Sequence, residues 1–108
     1  MRGSEDVPTI DGAKVRKVVV ACDAGMGSSV LVASQLAAAL ARYSVSVRHA
    51  SVTEIPADAD VVLCQEALVV RTSRVVPDKP VLGFRLFLGD PLFARLEQAI
   101  RNGVPLAG

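Results

Sequence analysis

The most constraining feature of the chain is an abrupt change of hydrophobic rhythm between Val15 and Tyr43. Val15 to Ala21 reads VRKVVVA, a short β-branched run of the kind that forms a strand buried on both faces of a parallel sheet. A patch of small residues follows. Then VLVASQLAAALARY places Val30, Ala33, Leu36, Ala37, Leu40 and Ala41 at helical spacing, which predicts an amphipathic helix capped by Ser28 or Ser29.

The rest of the chain repeats this alternation. Val45 to Val52 alternates apolar and polar residues, as a strand near a sheet edge does. Pro56 and the Asp58/Asp60 pair read as turn chemistry rather than paired catalytic carboxylates. Val61 to Cys64 reads as a short buried strand, Glu66 to Val76 as a β-rich helix, and Val81 to Phe84 as a fourth strand. Asp90-Pro91 has the cap-plus-proline start of a last helix through Arg101, stopped at Asn102-Gly103. Strands alternating with helices imply βαβ units, right-handed crossovers and a parallel sheet, hence an α/β fold.

At 108 residues the chain is sized for one domain. Its boundaries read as a flexible N-terminal arm over 1–13, a domain over 14–103 and a C-terminal tail over 104–108. With 12 Lys+Arg against 11 Asp+Glu the net charge is +1, and aromatics are only 4%. Neither a polyanion-binding footprint nor stacking platforms for bases follow, so no nucleic-acid partner is expected. No apolar run approaches the ~20 residues of a bilayer span, so no direct membrane insertion is expected either. The first residues lack the apolar centre of a secretory leader, and a cytoplasmic location is expected. Cys22 and Cys64 are too few for a disulfide scaffold and read as thiols.

The chemistry concentrates in Cys22-Asp23-Ala24-Gly25-Met26-Gly27-Ser28-Ser29, where a buried strand ends and a helix begins. Ligands of open α/β sheets bind at the carboxyl ends of strands. Small residues let successive backbone N–H groups converge on an anion, and the helix N-terminus adds donors and the positive end of its dipole. Ser28 and Ser29 can add hydroxyls. Such donors would stabilise a thiolate at Cys22 and then hold a phosphoryl group bonded to it. A small buried cysteine beside an ordinary turn is the plainer alternative. Nucleotide-binding loops do not fit: no Lys follows Gly27, and only two spaced glycines are present. His49, the sole histidine, has no acidic or thiol neighbours in sequence, so no metal site is expected.

The run VVVACDAGMGSS resembles the active-site segment of enzyme IIB domains of the sugar phosphotransferase system, the mannitol type above all. Collinear likeness continues at Asp60 to Leu63, Arg71 to Pro77 and Phe87-Leu88, covering roughly residues 15 to 101. The resemblance implies a Rossmann-like three-layer domain whose four-stranded parallel sheet has the order 2-1-3-4, with a Cys phosphate-binding loop after strand 1. It implies a sugar phosphocarrier with Cys22 as nucleophile and Asp23, Ala24, Gly25, Met26, Gly27, Ser28 and Ser29 as its phosphate cradle. The donor would be a phosphohistidine on a IIA domain and the acceptor a sugar, mannitol-like, bound by a membrane IIC domain. No cofactor and no metal are implied. After the third strand, where the family tends to polar or basic residues, this chain reads Cys64-Gln65-Glu66-Ala67.

Two other readings remain open at this point. Low-molecular-weight cysteine phosphatases and related reductases place an Arg where Ser28 stands, and their general-acid segment resembles Asp90-Pro91. A non-catalytic regulatory module of IIB type is the other. The order 2-1-3-4 would also bring the ends of the Cys22 and Cys64 strands together, raising the expectation that oxidation could join the two thiols.

Overall fold

The computed structural model describes residues 8–23 and 28–107. Strand β1 (Thr9–Asp11) precedes β2 (Lys17–Cys22), then come α1 (Ser28–Leu40), β3 (Ser46–Ser51), β4 (Val61–Gln65), α2 (Val69–Val75), β5 (Val81–Phe84), α3 (Pro91–Asn102) and β6 (Pro105–Ala107). The main sheet is parallel in all its pairings, with the order β3-β2-β4-β5. Counted from β2, that is the expected 2-1-3-4.

The valine run explains why β2 is central. Its burial alternates between two layers of core. Val18 and Val20 pack with Val32, Leu36 and Leu40 of α1 and with Leu92, Leu96 and Ile100 of α3. Val19 and Ala21 pack on the opposite face with Val52, Val62, Cys64, Val76 and Val81, against which Leu68 and Val69 of the α2 segment lie. Both faces of β2 are therefore apolar, and the three layers follow.

Caps set the ends of the elements. Asp90 caps α3, Pro91 occupies its first turn, and Gly103 closes it at φ +68°. The α1 helix gives way to a 3-10 turn over Ala41–Tyr43, closed by Ser44 at φ +60°. Asp60 accepts from the backbone N–H groups of Arg16 and Lys17 at 2.8 and 2.9 Å and so anchors the start of β2. Asp58 pairs with the Lys17 ammonium, which holds its carboxyl below the ordinary carboxylate range.

The segments read as arm and tail contain a second, two-stranded antiparallel sheet. Thr9 pairs with Ala107, Ile10 with Leu106 and Asp11 with Pro105. Ile10 and Leu106 pack against the core beside α3. Gly12 makes this approach possible: its N–H donates to Val104 at 3.0 Å, and a Cβ there would stand 2.0 Å from the Ala99 carbonyl oxygen.

Candidate functional site

Cys22 is the last residue of the central strand, and Ser51 and Ala21↔Cys64 mark the level of its neighbours. The chain leaves β2 toward β3 on one side, and leaves β4 toward β5 on the other. The crevice beyond the carboxyl ends of β2 and β4 is thus the switch point where open α/β sheets bind ligands.

Alternation along β2 sends the Cys22 side chain to the α1 face, where it is half-buried. Its thiol donates to the Ser29 hydroxyl at 3.2 Å. Ser29 is buried in the first turn of α1, with 3% of its surface exposed. A hydroxyl both accepts and donates, so Ser29 can reverse the bond and donate to a thiolate. The helix α1 starts at Ser28, so the positive end of its dipole lies at the same end of the sheet. Ala24, Gly25, Met26 and Gly27 lie outside the described residues, as does the Ser28 side chain.

Asp23 is exposed, and its carboxylate receives the guanidinium of Arg71 from the first turns of α2. Sequence reading did not assign Arg71 to the site. The two residues are 48 positions apart, and only the placement of β4 beside β2 brings them together. Arg85 Nε donates to Glu66 at 2.9 Å just beyond β4 and β5, which gives the acidic departure after the third strand a basic partner.

Several other candidates stand elsewhere. Asp90 is buried as the α3 cap, accepting from Leu92 at 2.8 Å, Arg85 at 2.8 Å and Leu86 at 2.9 Å. Burial works against its charge, yet these three donations outweigh it and hold the carboxyl below the ordinary range. A general acid needs the opposite shift, so the phosphatase-like role of Asp90 is not what this geometry builds. His49 is exposed on the edge strand β3, opposite Val20 and short of the level of Cys22.

Cys64 is fully buried and stands opposite Ala21 and Gly83. Burial pushes its thiol up, and the nearby Thr72 hydroxyl pulls weakly the other way. That contact falls short of a hydrogen bond, since Thr72 Oγ1 is buried without a partner. Because Cys64 shares a face with Ala21, it points away from Cys22, and the expectation of a disulfide between them is corrected. Both remain thiols.

Exposed large apolar side chains gather at this end of the sheet. Val30 and Leu31 open α1, Val70 opens α2, and Leu86 and Leu88 follow β5. Among the described residues no helix is long and apolar enough to cross a membrane.

The chain matches the PTS_IIB family, described as the PTS system lactose/cellobiose specific IIB subunit, over residues 17–90. It is 37% identical over 81 residues to the PTS system mannitol-specific cryptic EIICB component of Escherichia coli (strain K12), covering 73% of this chain and 17% of that protein. It is 34% identical over 92 residues to the mannitol-specific EIICB component of Geobacillus stearothermophilus, covering 83% and 20%. The chain thus spans about a fifth of the length of these relatives. A solved lactose-specific IIB component domain from Streptococcus pneumoniae shares the fold at TM-score 0.52 and 16% identity, covering 84% of this chain and 92% of that one.

Proposed function

Since this chain belongs to the IIB family of the sugar phosphotransferase system, we propose that it is a phosphocarrier in which Cys22 accepts a phosphoryl group from a phosphohistidine of a IIA domain. It then passes the group to a sugar held by a membrane IIC domain. The observation that carries this reading is the Cys22 thiol at the carboxyl end of the central strand, bonded to Ser29 at the mouth of α1. In the first step the Cys22 thiolate attacks phosphorus, the S–P bond forms and the P–N bond to histidine breaks. The thiol proton has already left to solvent. In the second step a sugar hydroxyl forms the O–P bond, loses its proton to solvent, and the thiolate leaves.

Three observations support transfer over hydrolysis. Ser28 stands where a cysteine phosphatase carries its clamping guanidinium, and loss of such a group typically costs on the order of 10²–10³ in rate. Asp90 is committed to three backbone N–H groups. The exposed apolar rim of Val30, Leu31, Val70, Leu86 and Leu88 suits docking of protein partners better than a small ester. Relatives named as mannitol-specific EIICB components carry IIB beside IIC, which supports a IIC partner and a place at the inner face of the membrane. The family description names lactose and cellobiose instead. The mannitol relatives carry more weight, at 34–37% identity against 16% for the solved lactose-specific domain, so a mannitol-like hexitol is the proposed sugar.

The test is incubation with phosphorylated IIA. One phosphate should appear at Cys22, released by iodine as an S-phosphocysteine is, and Cys22→Ser should stay folded and accept none stably. Label at His49 instead, or robust hydrolysis of p-nitrophenyl phosphate, would sink the carrier reading.

A further inference from the structure

Asp23 poses a problem for a phosphoryl site. It follows the nucleophile directly, and a carboxylate there repels an incoming phosphoryl dianion. Arg71 answers that charge by donating Nη1 to Asp23 Oδ1. Asp23 ends the β2 side of the crevice, while Arg71 rises from the helix that follows β4. Their bond therefore ties the residue after Cys22, at the end of β2, to the helix that follows β4. Both side chains are more than half exposed, 55% for Arg71 and 64% for Asp23, and exposed ion pairs of this kind contribute little to stability. The pair is poorly suited to be a clamp and well suited to open.

We propose that Arg71 is the phosphoryl-receiving cation of this site, and that Asp23 is the positioning residue that parks it beside Cys22. The inference rests on the reading of Cys22 as acceptor. As the phosphoryl group approaches, the guanidinium exchanges a carboxylate for phosphoryl oxygens, which its planar fork of donors fits equally well. Arg71 gives up no proton in this exchange. It compensates charge while the P–N bond breaks and the S–P bond forms, and it returns to Asp23 when the group departs. The cation comes from a separate helix and not from within the loop, so it can attract the group without being locked onto it.

The two halves of the pair make opposite predictions, which separates this role from a structural one. In the full chain, the rate of Cys22 alkylation by anionic iodoacetate is divided by that for neutral iodoacetamide, with the site confirmed by peptide mass. Arg71→Gln should lower this ratio about three-fold at low salt, and Asp23→Asn should raise it about as much, as expected for one unit charge near a partly solvated thiol. Arg71→Lys should stay near wild type, and the differences should shrink at ~1 M salt. Transfer from phosphorylated IIA should slow at least ten-fold in Arg71→Gln, and by clearly less in Asp23→Asn, which keeps the cation and loses only its parking place. Equal losses in both variants would make the pair a structural clamp and overturn the inference. A labelled wild type with an unaffected Arg71→Gln chain overturns this inference alone. An unlabelled wild type overturns the carrier reading and this one with it.

Discussion

Cys22 and Cys64 end neighbouring parallel strands yet project from opposite faces of the sheet. The register puts Cys64 opposite Ala21, one residue before Cys22, and a shift of one residue reverses the direction of a side chain. Cys22 joins the α1 face and bonds Ser29, while Cys64 is sealed in the core with Val19, Val62 and Val81. The two thiols should therefore differ in chemistry. Iodoacetamide should label Cys22 in the native protein and reach Cys64 only after denaturation, and mild oxidant should form no intramolecular bridge. A mass loss of two hydrogens on oxidation, with Cys22 and Cys64 found in one linked peptide, would contradict this geometry.

Ser29 offers a test of how the nucleophile is held. Its hydroxyl is buried and accepts from the Cys22 thiol. Ser29→Ala should cost about 1 kcal/mol of stability, the usual net value of such a bond. Phosphotransfer should fall further, roughly ten-fold or more, because the hydroxyl is proposed to donate to charge on sulfur or phosphoryl oxygen. Comparing the urea midpoint with the transfer rate separates the two effects. A rate unchanged within two-fold would remove Ser29 from the site.

Much of this architecture was legible because the valine runs at Val18–Val20 and Val61–Val62 have no other economical use than buried parallel strands. The cap at Asp90 was legible from Asp-Pro, although its catch of the Arg85 and Leu86 amides was not, since a turn-spanning bond leaves no periodicity. The β1–β6 pair was hidden for a similar reason. Three residues per strand are too few to show alternation, so the two segments read as arm and tail. At the site, Cys22 and Ser29 announce themselves by spacing within one loop. Arg71 does not, because its place beside Asp23 comes from the strand order β3-β2-β4-β5 and not from any local pattern.

The Gly12 contact predicts a strong effect far from the site. A methyl group there would meet the Ala99 carbonyl at 2.0 Å and the Val104 carbonyl at 2.8 Å, both backbone atoms that cannot swing aside. Gly12→Ala should destabilise by about 2–3 kcal/mol, the upper range for overpacking, and release the β1–β6 pair. Gly89 makes the contrast, since at φ +67° it has nothing within 4 Å of a built Cβ. Gly89→Ala should cost only about 1 kcal/mol of backbone strain. Hydrogen exchange at Ile10 and Leu106 reports the first change. Equal losses in the two variants would mean that β1 and β6 are not docked as described.

Asp90 contributes to the acid sensitivity of the fold. Its folded carboxyl lies below the ordinary value despite its burial, because the Leu86, Leu92 and Arg85 amides donate to the charged form. A depressed carboxyl contributes stability above its unfolded value of about 3.9, and that contribution is lost as pH falls through the lower folded value. Stability should therefore be flat with respect to this group from neutral pH down to about pH 5, then decline below about pH 4. Asp90→Ala removes the helix cap and strands two further amides in the segment after β5, so it should cost about 2–3 kcal/mol at neutral pH. Asp90→Asn keeps one acceptor oxygen and should cost less. The variants should also lose part of the acid-side slope, because the group that binds the proton on unfolding is gone. Urea unfolding at pH 7 and pH 3 checks both statements: the gap between wild type and Asp90→Ala should narrow at the lower pH. A gap of the same size at both values would show that the carboxylate charge is not what ties Arg85, Leu86 and Leu92 together.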